Sequence, residues 1–295
     1  MQLIKKSTER VEAHRLIDGF LCRCAKEGIW PQDLYDALGS DKDDNNNKTF
    51  ESFRAELLKE TNGLCCYCMR TLNDGNITLE HVIPNKVETQ EKYDEYKKYY
   101  TDEEWSKLIY SKSFLKNPSW PNDQWPHTVA YENLIPSCNG KMADTRTDKD
   151  KAEHKPDTRK SKCCNGKRGN NFIPPFVYSE QMISQFEYKK NGILVWNDDS
   201  TEEAEKKRKW ISDDKYGLNL NCEELQTIRR IWYFLANNGF DCNVEQNQRE
   251  AILMVIASFE KSQDERDAIY KFQNPNYWCL LEEYRYFNDP TKFTD

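Results

Sequence analysis

Cys65 and Cys68 lie two residues apart in Cys65-Cys66-Tyr67-Cys68, a spacing that turns two thiolates onto one tetrahedral zinc. A structural site of that kind usually needs a second pair. The candidates are Cys138, followed by Cys163 or Cys164. That second pair is split by about two dozen residues, where an ordinary knuckle has about two. The competing use of these cysteines is as reduced, buried small hydrophobes. Zinc suits the thin apolar content of residues 63–172, because metal binding supplies folding energy to such a segment.

Glu80-His81 is the second signal. A lone histidine in a strand is more often a hydrogen-bonded structural residue than a catalyst. Here it stands beside a carboxylate, behind an Asn-Asp-Gly turn that follows the cysteine pair. That arrangement suits metal-assisted hydrolysis, in which Glu80 and a second oxygen ligand hold a divalent cation while neutral His81 takes the proton from the attacking water. An asparagine carbonyl as the second ligand favours Mg²⁺ or Mn²⁺ over zinc. The third signal is SKCCNGKRGN (161–170), where Lys162, Lys167 and Arg168 surround two cysteines and Asn165. Positive neighbours lower a thiol pKa, but no resolving or acyl-transfer constellation accompanies Cys163 or Cys164.

The elements that must position these residues are partly legible. Residues 1–62 read as a helical region: VEAHRLIDGFLCRCA places Val11, Leu16, Ile17, Phe20 and Leu21 at helical spacing, and TFESFRAELLKETNG places Phe50, Phe53, Leu57 and Leu58 ahead of a stop at Gly63. The polar tract 39–48 separates them. In NITLEHVI, Ile77, Leu79 and His81 alternate as in a strand. Residues 63–172 are interrupted by a charged, aromatic helical insertion with a Trp/Pro-rich tail (88–127) and by the Lys/Asp-rich stretch 141–162. From 173 onward short strands precede a mainly helical region, with CEELQTIRRIWYFLA (Leu225, Ile228, Ile231, Trp232, Leu235) and QREAILMVIASFEK as its helices.

Composition excludes some functions. The chain has 295 residues, 13% aromatic, which argues against wholesale disorder. No apolar run approaches the roughly 18 residues of a membrane span, and MQLIKKSTER lacks the apolar stretch of a signal peptide. The chain reads as cytoplasmic, where its eleven cysteines are reduced. A net charge of −7 argues against a dedicated high-affinity nucleic-acid binder. Residues 141–170, however, carry ten Lys/Arg against five Asp/Glu, and with screening over roughly 8 Å a phosphate there feels mainly the local excess. A solvated loop of mixed charge is the alternative reading.

In order, CCYC, LEHVIP, ENLIPSC and CCNGKRGN resemble the HNH endonucleases, whose core runs CxxC, Asp/Glu-His, Asn-Leu, Cys, then Cys-Asn or Cys-His followed by Lys. More narrowly, IKKS, the CxYC pair, the split second cysteine pair and the late YGLNLN resemble the PtuB-type nucleases of bacterial Septu and retron-associated anti-phage systems, which partner an SMC/ABC-like ATPase called PtuA. The HNH match covers about residues 63–172. The resemblance implies an α+β fold, with a small zinc-bracketed ββα-metal core flanked by N- and C-terminal helical regions. It makes His81 the general base, Glu80 and Asn165 ligands of a catalytic Mg²⁺ or Mn²⁺, and Asn133 the asparagine that holds the loop carrying the base. Cys65, Cys68, Cys138 and Cys164 become ligands of a structural zinc, while Lys167 and Arg168 contact substrate phosphate.

Cys164 is preferred to Cys163 because the family places its last ligand directly before the Asn/His. Two departures stand out. Glu80 replaces the commoner Asp, and 25 residues separate Cys138 from Cys164, which keeps Cys163 and His154 open as fourth ligand. The implied function is phosphodiester hydrolysis in nucleic acid, DNA ahead of RNA, by the effector subunit of a defence complex. RNA cleavage (of tRNA, for example) by the same chemistry and a non-catalytic, zinc-stapled binding module are the alternatives. A nuclease acidic outside its site is expected to depend on the ATPase partner for capture, docking through 1–60 and 205–295.

Overall fold

The computed structural model describes residues 1–7, 11–28, 34–85, 90–108, 127–141, 162–197, 202–213, 217–239 and 281–295. Helix α1 (Glu12–Glu27) buries Ala13, Ile17, Phe20, Leu21 and Cys24, a stripe at helical period, and ends at Gly28, whose left-handed backbone (φ 71°) lets its amide return to the Cys24 carbonyl. Helices α2 (Leu34–Ser40) and α3 (Thr49–Glu60) add Leu34, Leu38, Phe53 and Leu57 to the same core. The chain leaves α3 through Asn62 and Gly63, both at positive φ. Val11, Leu16 and Phe50 lie at the margin of this core, only partly buried.

Strand β1 (Ile77–His81) pairs antiparallel with β2 (Leu134–Cys138), Ile77 opposite Cys138 and His81 opposite Leu134. The hairpin is covered on both faces. Leu79 and Leu134 pack into the core of α1–α3, whereas Ile135 packs into the main core. The connection between the strands carries α4 (Gln90–Lys97) and α5 (Asp102–Leu108), whose Tyr96 and Trp105 pack with Ile83. The described part of 88–127 is thus largely helical. The rest of its Trp/Pro-rich tail, 109–126, lies outside the described residues.

After β2 the described chain resumes at 162 and forms the short α6 (Cys164–Arg168) against β2. Then come α7 (Glu180–Ile183), β3 (Phe186–Lys189), β4 (Leu194–Trp196), α8 (Glu202–Ser212), α9 (Glu223–Asn237) and β5 (Phe293–Thr294). β3 is central in a sheet of order β4-β3-β5, antiparallel to β4 and parallel to β5. Helix α9 buries Leu225, Ile228, Ile231, Trp232 and Leu235, the face its period defines. The segment QREAILMVIASFEK lies outside the described residues.

The main core joins Cys65–Met69, Cys138 and Cys164 to Phe176, Leu218, the α9 face and Tyr284. Its residues come from both sides of position 172, so the cysteine-bearing segment and the C-terminal region share one core. The described architecture is α+β, and no helix in it is long and apolar enough to cross a membrane.

Candidate functional site

Leu64 pairs with Thr71, and between them the chain turns sharply at Met69 (φ 66°), bringing Cys65 and Cys68 to one side. Cys138 arrives at the end of β2 and Cys164 at the start of α6. The four sulfurs lie within 4.8 Å of one another and all four residues are buried. Cys65 and Cys164 stand 3.9 Å apart, Cys68 and Cys138 3.7 Å. Thiolates on a tetrahedral ion at Zn–S distances of about 2.3 Å would be separated by about 3.8 Å. The donor set therefore fits a metal ion such as zinc. Burial acts to raise the Cys65 and Cys68 thiols, yet hydrogen bonds with Cys138 and its neighbouring thiols hold both well below the ordinary value. The Cys138 amide donates to Cys65 Sγ at 3.3 Å, a bond that favours the thiolate. Cys163 is not one of the four; its thiol lies 4.0 Å from the Gly140 carbonyl and beside Cys138 and Cys68. His154 lies outside the described residues.

The split second pair is closed by backbone. The Cys163 amide donates to the Gly140 carbonyl at 3.2 Å, and the Cys164 amide donates to Leu218 O at 2.9 Å, so Leu218 helps to seat the last ligand. Gly140 has φ 69°, and a Cβ there would lie 1.8 Å from the Cys163 carbonyl oxygen. That atom is backbone and cannot swing away. Gly140→Ala is therefore expected to pull the Cys163–Cys164 turn off the cluster. Bound metal, measured by elemental analysis, falls below half of the wild-type content, and full retention would contradict the clasp.

On one face of β1, His81 Nε2 lies 2.8 Å from the Thr128 carbonyl and the ring packs edge-on against Tyr35 at 4.5 Å. A carbonyl only accepts, so Nε2 carries the proton and Nδ1 is the basic nitrogen. Nδ1 has no hydrogen-bond partner among the described residues. Burial pushes the His81 pKa down to about 4, against the opposing pull of the Thr128 carbonyl.

Asn133, fully buried, accepts from the Ile83 amide at 2.7 Å and donates to the carbonyls of Ile83 and His127 at 2.9 and 2.7 Å. It ties the chain after His81 to the loop that offers Thr128 O. Asn133→Ala leaves three buried backbone groups without partners. The expected loss of stability is roughly 2–5 kcal/mol, read from urea unfolding; a loss under about 1 kcal/mol would show that the loop is held by other contacts.

The opposite face of β1 corrects several expectations. Side chains alternate along a strand, so Glu80 and Thr78 point away from His81 and toward α6. Arg168 is 1% exposed and ion-paired to Glu80, and so cannot meet substrate phosphate. Burial raises the Glu80 carboxyl, while the permanently charged guanidinium beside it opposes that rise. Asn165 donates through Nδ2 to Thr78 Oγ1 at 3.0 Å. The residues expected to share one catalytic centre are thus divided, His81 on one face and Glu80 with Asn165 on the other. The expected Mg²⁺ or Mn²⁺ does not fit at Glu80, because a guanidinium already occupies its carboxylate. Lys167 remains half-exposed on α6.

Two residues beside His81 were not anticipated. His127 sits buried with Nε2 3.1 Å from the Pro84 carbonyl, and its charge would act against protonation of His81. Thr128, also buried, has a hydroxyl without a partner among the described residues. The sequence signal for both was faint, a histidine and a threonine at the end of a Trp/Pro-rich loop. Comparison with known proteins found no matching family model, no matching curated protein and no matching solved structure.

Proposed function

We propose that the chain is an HNH-type endonuclease hydrolysing phosphodiester bonds of nucleic acid, DNA ahead of RNA, with structural zinc on Cys65, Cys68, Cys138 and Cys164. The observation that carries this reading is a neutral histidine with a defined tautomer, at the end of a two-stranded hairpin whose other side packs on a short helix behind four clustered thiols. Bound zinc would contribute folding energy.

In the proposed reaction His81 Nδ1 removes a proton from water. The resulting hydroxide attacks phosphorus, the P–O bond to the 3′ oxygen breaks in line with it, and the departing 3′ oxygen takes a proton from solvent water, leaving a 3′ hydroxyl and a 5′ phosphate. Asn133 and Thr128 fix the ring and its tautomer, and the low pKa keeps it unprotonated throughout the neutral range. On the sequence resemblance alone, the chain is placed in the bacterial cytoplasm beside a PtuA-like ATPase in anti-phage defence.

A second reading is a zinc-stapled binding module without catalysis. The Glu80–Arg168 pair favours it, since the carboxylate expected to bind a catalytic cation is sealed. Cleavage of plasmid DNA and of RNA by the purified chain, alone and with its co-purified partner, tests the choice. Cleavage that disappears in His81→Ala while metal content is kept supports the nuclease. Equal activity in both proteins sinks it.

A further inference from the structure

Arg168 makes its contacts with unusual completeness. Its Nε donates to the Asn171 carbonyl at 3.2 Å. Nη1 donates to Glu80 Oε1 and, at 2.6 Å, to the His81 carbonyl. Nη2 donates to the Val82 carbonyl at 2.6 Å and to the Tyr96 hydroxyl at 3.4 Å. A guanidinium has five N–H groups, and all five are used. The acceptors are one carboxylate, three backbone carbonyls and one hydroxyl, an all-oxygen cradle of the kind that hard divalent cations choose. The cradle is closed, with Arg168 1% and Glu80 2% exposed, and it gathers groups from β1, the turn after it, α4 and the end of α6.

We infer that Arg168 is the resident cation of this cradle, a tethered guanidinium standing where a divalent ion would otherwise sit and gripping the main chain at residues 81 and 82. Three features support this. The ion pair is buried and its one carboxylate is already neutralised by the guanidinium, so a second cation entering beside it would itself be buried without a counter-charge. The planar fork satisfies carbonyls on two sides at once, which lysine cannot do. The helix that bears Arg168 also bears Cys164, so the cysteine cluster and the cradle share one turn of chain. Arg168 thus connects the helix that bears Cys164 to the strand end that bears His81. The inference stands independently of the nuclease reading, because neither test below involves cleavage.

Two measurements on the full chain test it. Mn²⁺ titration followed by electron paramagnetic resonance should give the same affinity for the wild type and for Glu80→Gln, which keeps an oxygen for Arg168. A tenfold or larger weakening in Glu80→Gln would make Glu80 a metal ligand and overturn the proposal. In thermal unfolding, Arg168→Met should melt at least 5 °C below the wild type or fail to fold, since it strands a buried carboxylate. Glu80→Gln combined with Arg168→Met should recover most of that loss. An Arg168→Met protein that melts like the wild type overturns the proposal. If neither Met-bearing variant folds, the Mn²⁺ comparison decides alone.

Discussion

Cys68→Ser, or stripping the protein with a strong chelator, is expected to abolish cooperative unfolding rather than merely lower its midpoint. The sulfurs of Cys65, Cys68, Cys138 and Cys164 are buried within 4.8 Å of one another, and they lie inside the main core with Tyr67, Ile135, Phe176, Leu218 and Tyr284. Structural zinc contributes about 10–16 kcal/mol of apparent binding energy in small domains. The whole stability of a domain is about 5–15 kcal/mol. Losing the ion therefore threatens both the cysteine-bearing segment and the C-terminal region that shares its core. Elemental analysis should find one zinc per chain, near-wild-type content in Cys163→Ser and loss of metal in Cys164→Ser. A metal-free protein that still melts cooperatively at the wild-type temperature would refute the assignment.

This cluster was also the part of the site most legible in the sequence. Two thiols two residues apart define half a site by local geometry alone, whereas β2, buried at every position, and the five-residue α6 give Cys138 and Cys164 no periodic signal. Ile77, Leu79 and His81 alternate, and the stripe from Ile17 to Cys24 points one way. What escaped was the pairing of faces. Glu80 and His81 are neighbours in sequence, which suggested one shared centre, yet neighbours on a strand point to opposite sides. Arg168 looked like a phosphate contact because its charge was visible and its burial was not. Whether an arginine is a surface cation or an internal staple depends on acceptors from residues 80–82, 96 and 171, and only the fold assembles those. The closure at Gly140 was equally hidden, since a glycine before a long basic stretch reads simply as a turn.

The second large effect is catalytic. If His81 is the base, His81→Ala lowers cleavage by about 10²–10⁴-fold with metal content and melting temperature kept, because the ring contacts Thr128 O and Tyr35 only at the rim of the hairpin. Its pH dependence is distinctive. The groups that set it are the protein interior, the Thr128 carbonyl, His127 and Arg168, with the Tyr35 ring against one side. The folded value of about 4 lies below the ordinary histidine value of about 6.5. Between these two pH values the unfolded chain binds a proton that the folded chain refuses. The stability contributed by this site is therefore complete above about pH 6.5 and is lost as pH falls toward 4. The acidic limb of the cleavage profile should lie nearer pH 4 than 6.5. A limb at 6.5 that vanishes in His127→Gln would move the base to His127.

The Gly140 clasp has a further meaning for how this chain can change over generations. Because main-chain atoms and a shared cluster of thiols hold residues 138–140 against 163–166, the length of chain between them is nearly free. Closing a flexible loop costs only about 0.6 kcal/mol for each doubling of its length. Inserts can come and go at that place without disturbing the strand, the helix or the four sulfurs. What must stay constant are the two anchored ends, residues 138–140 and 163–166, and the four sulfurs they help to gather.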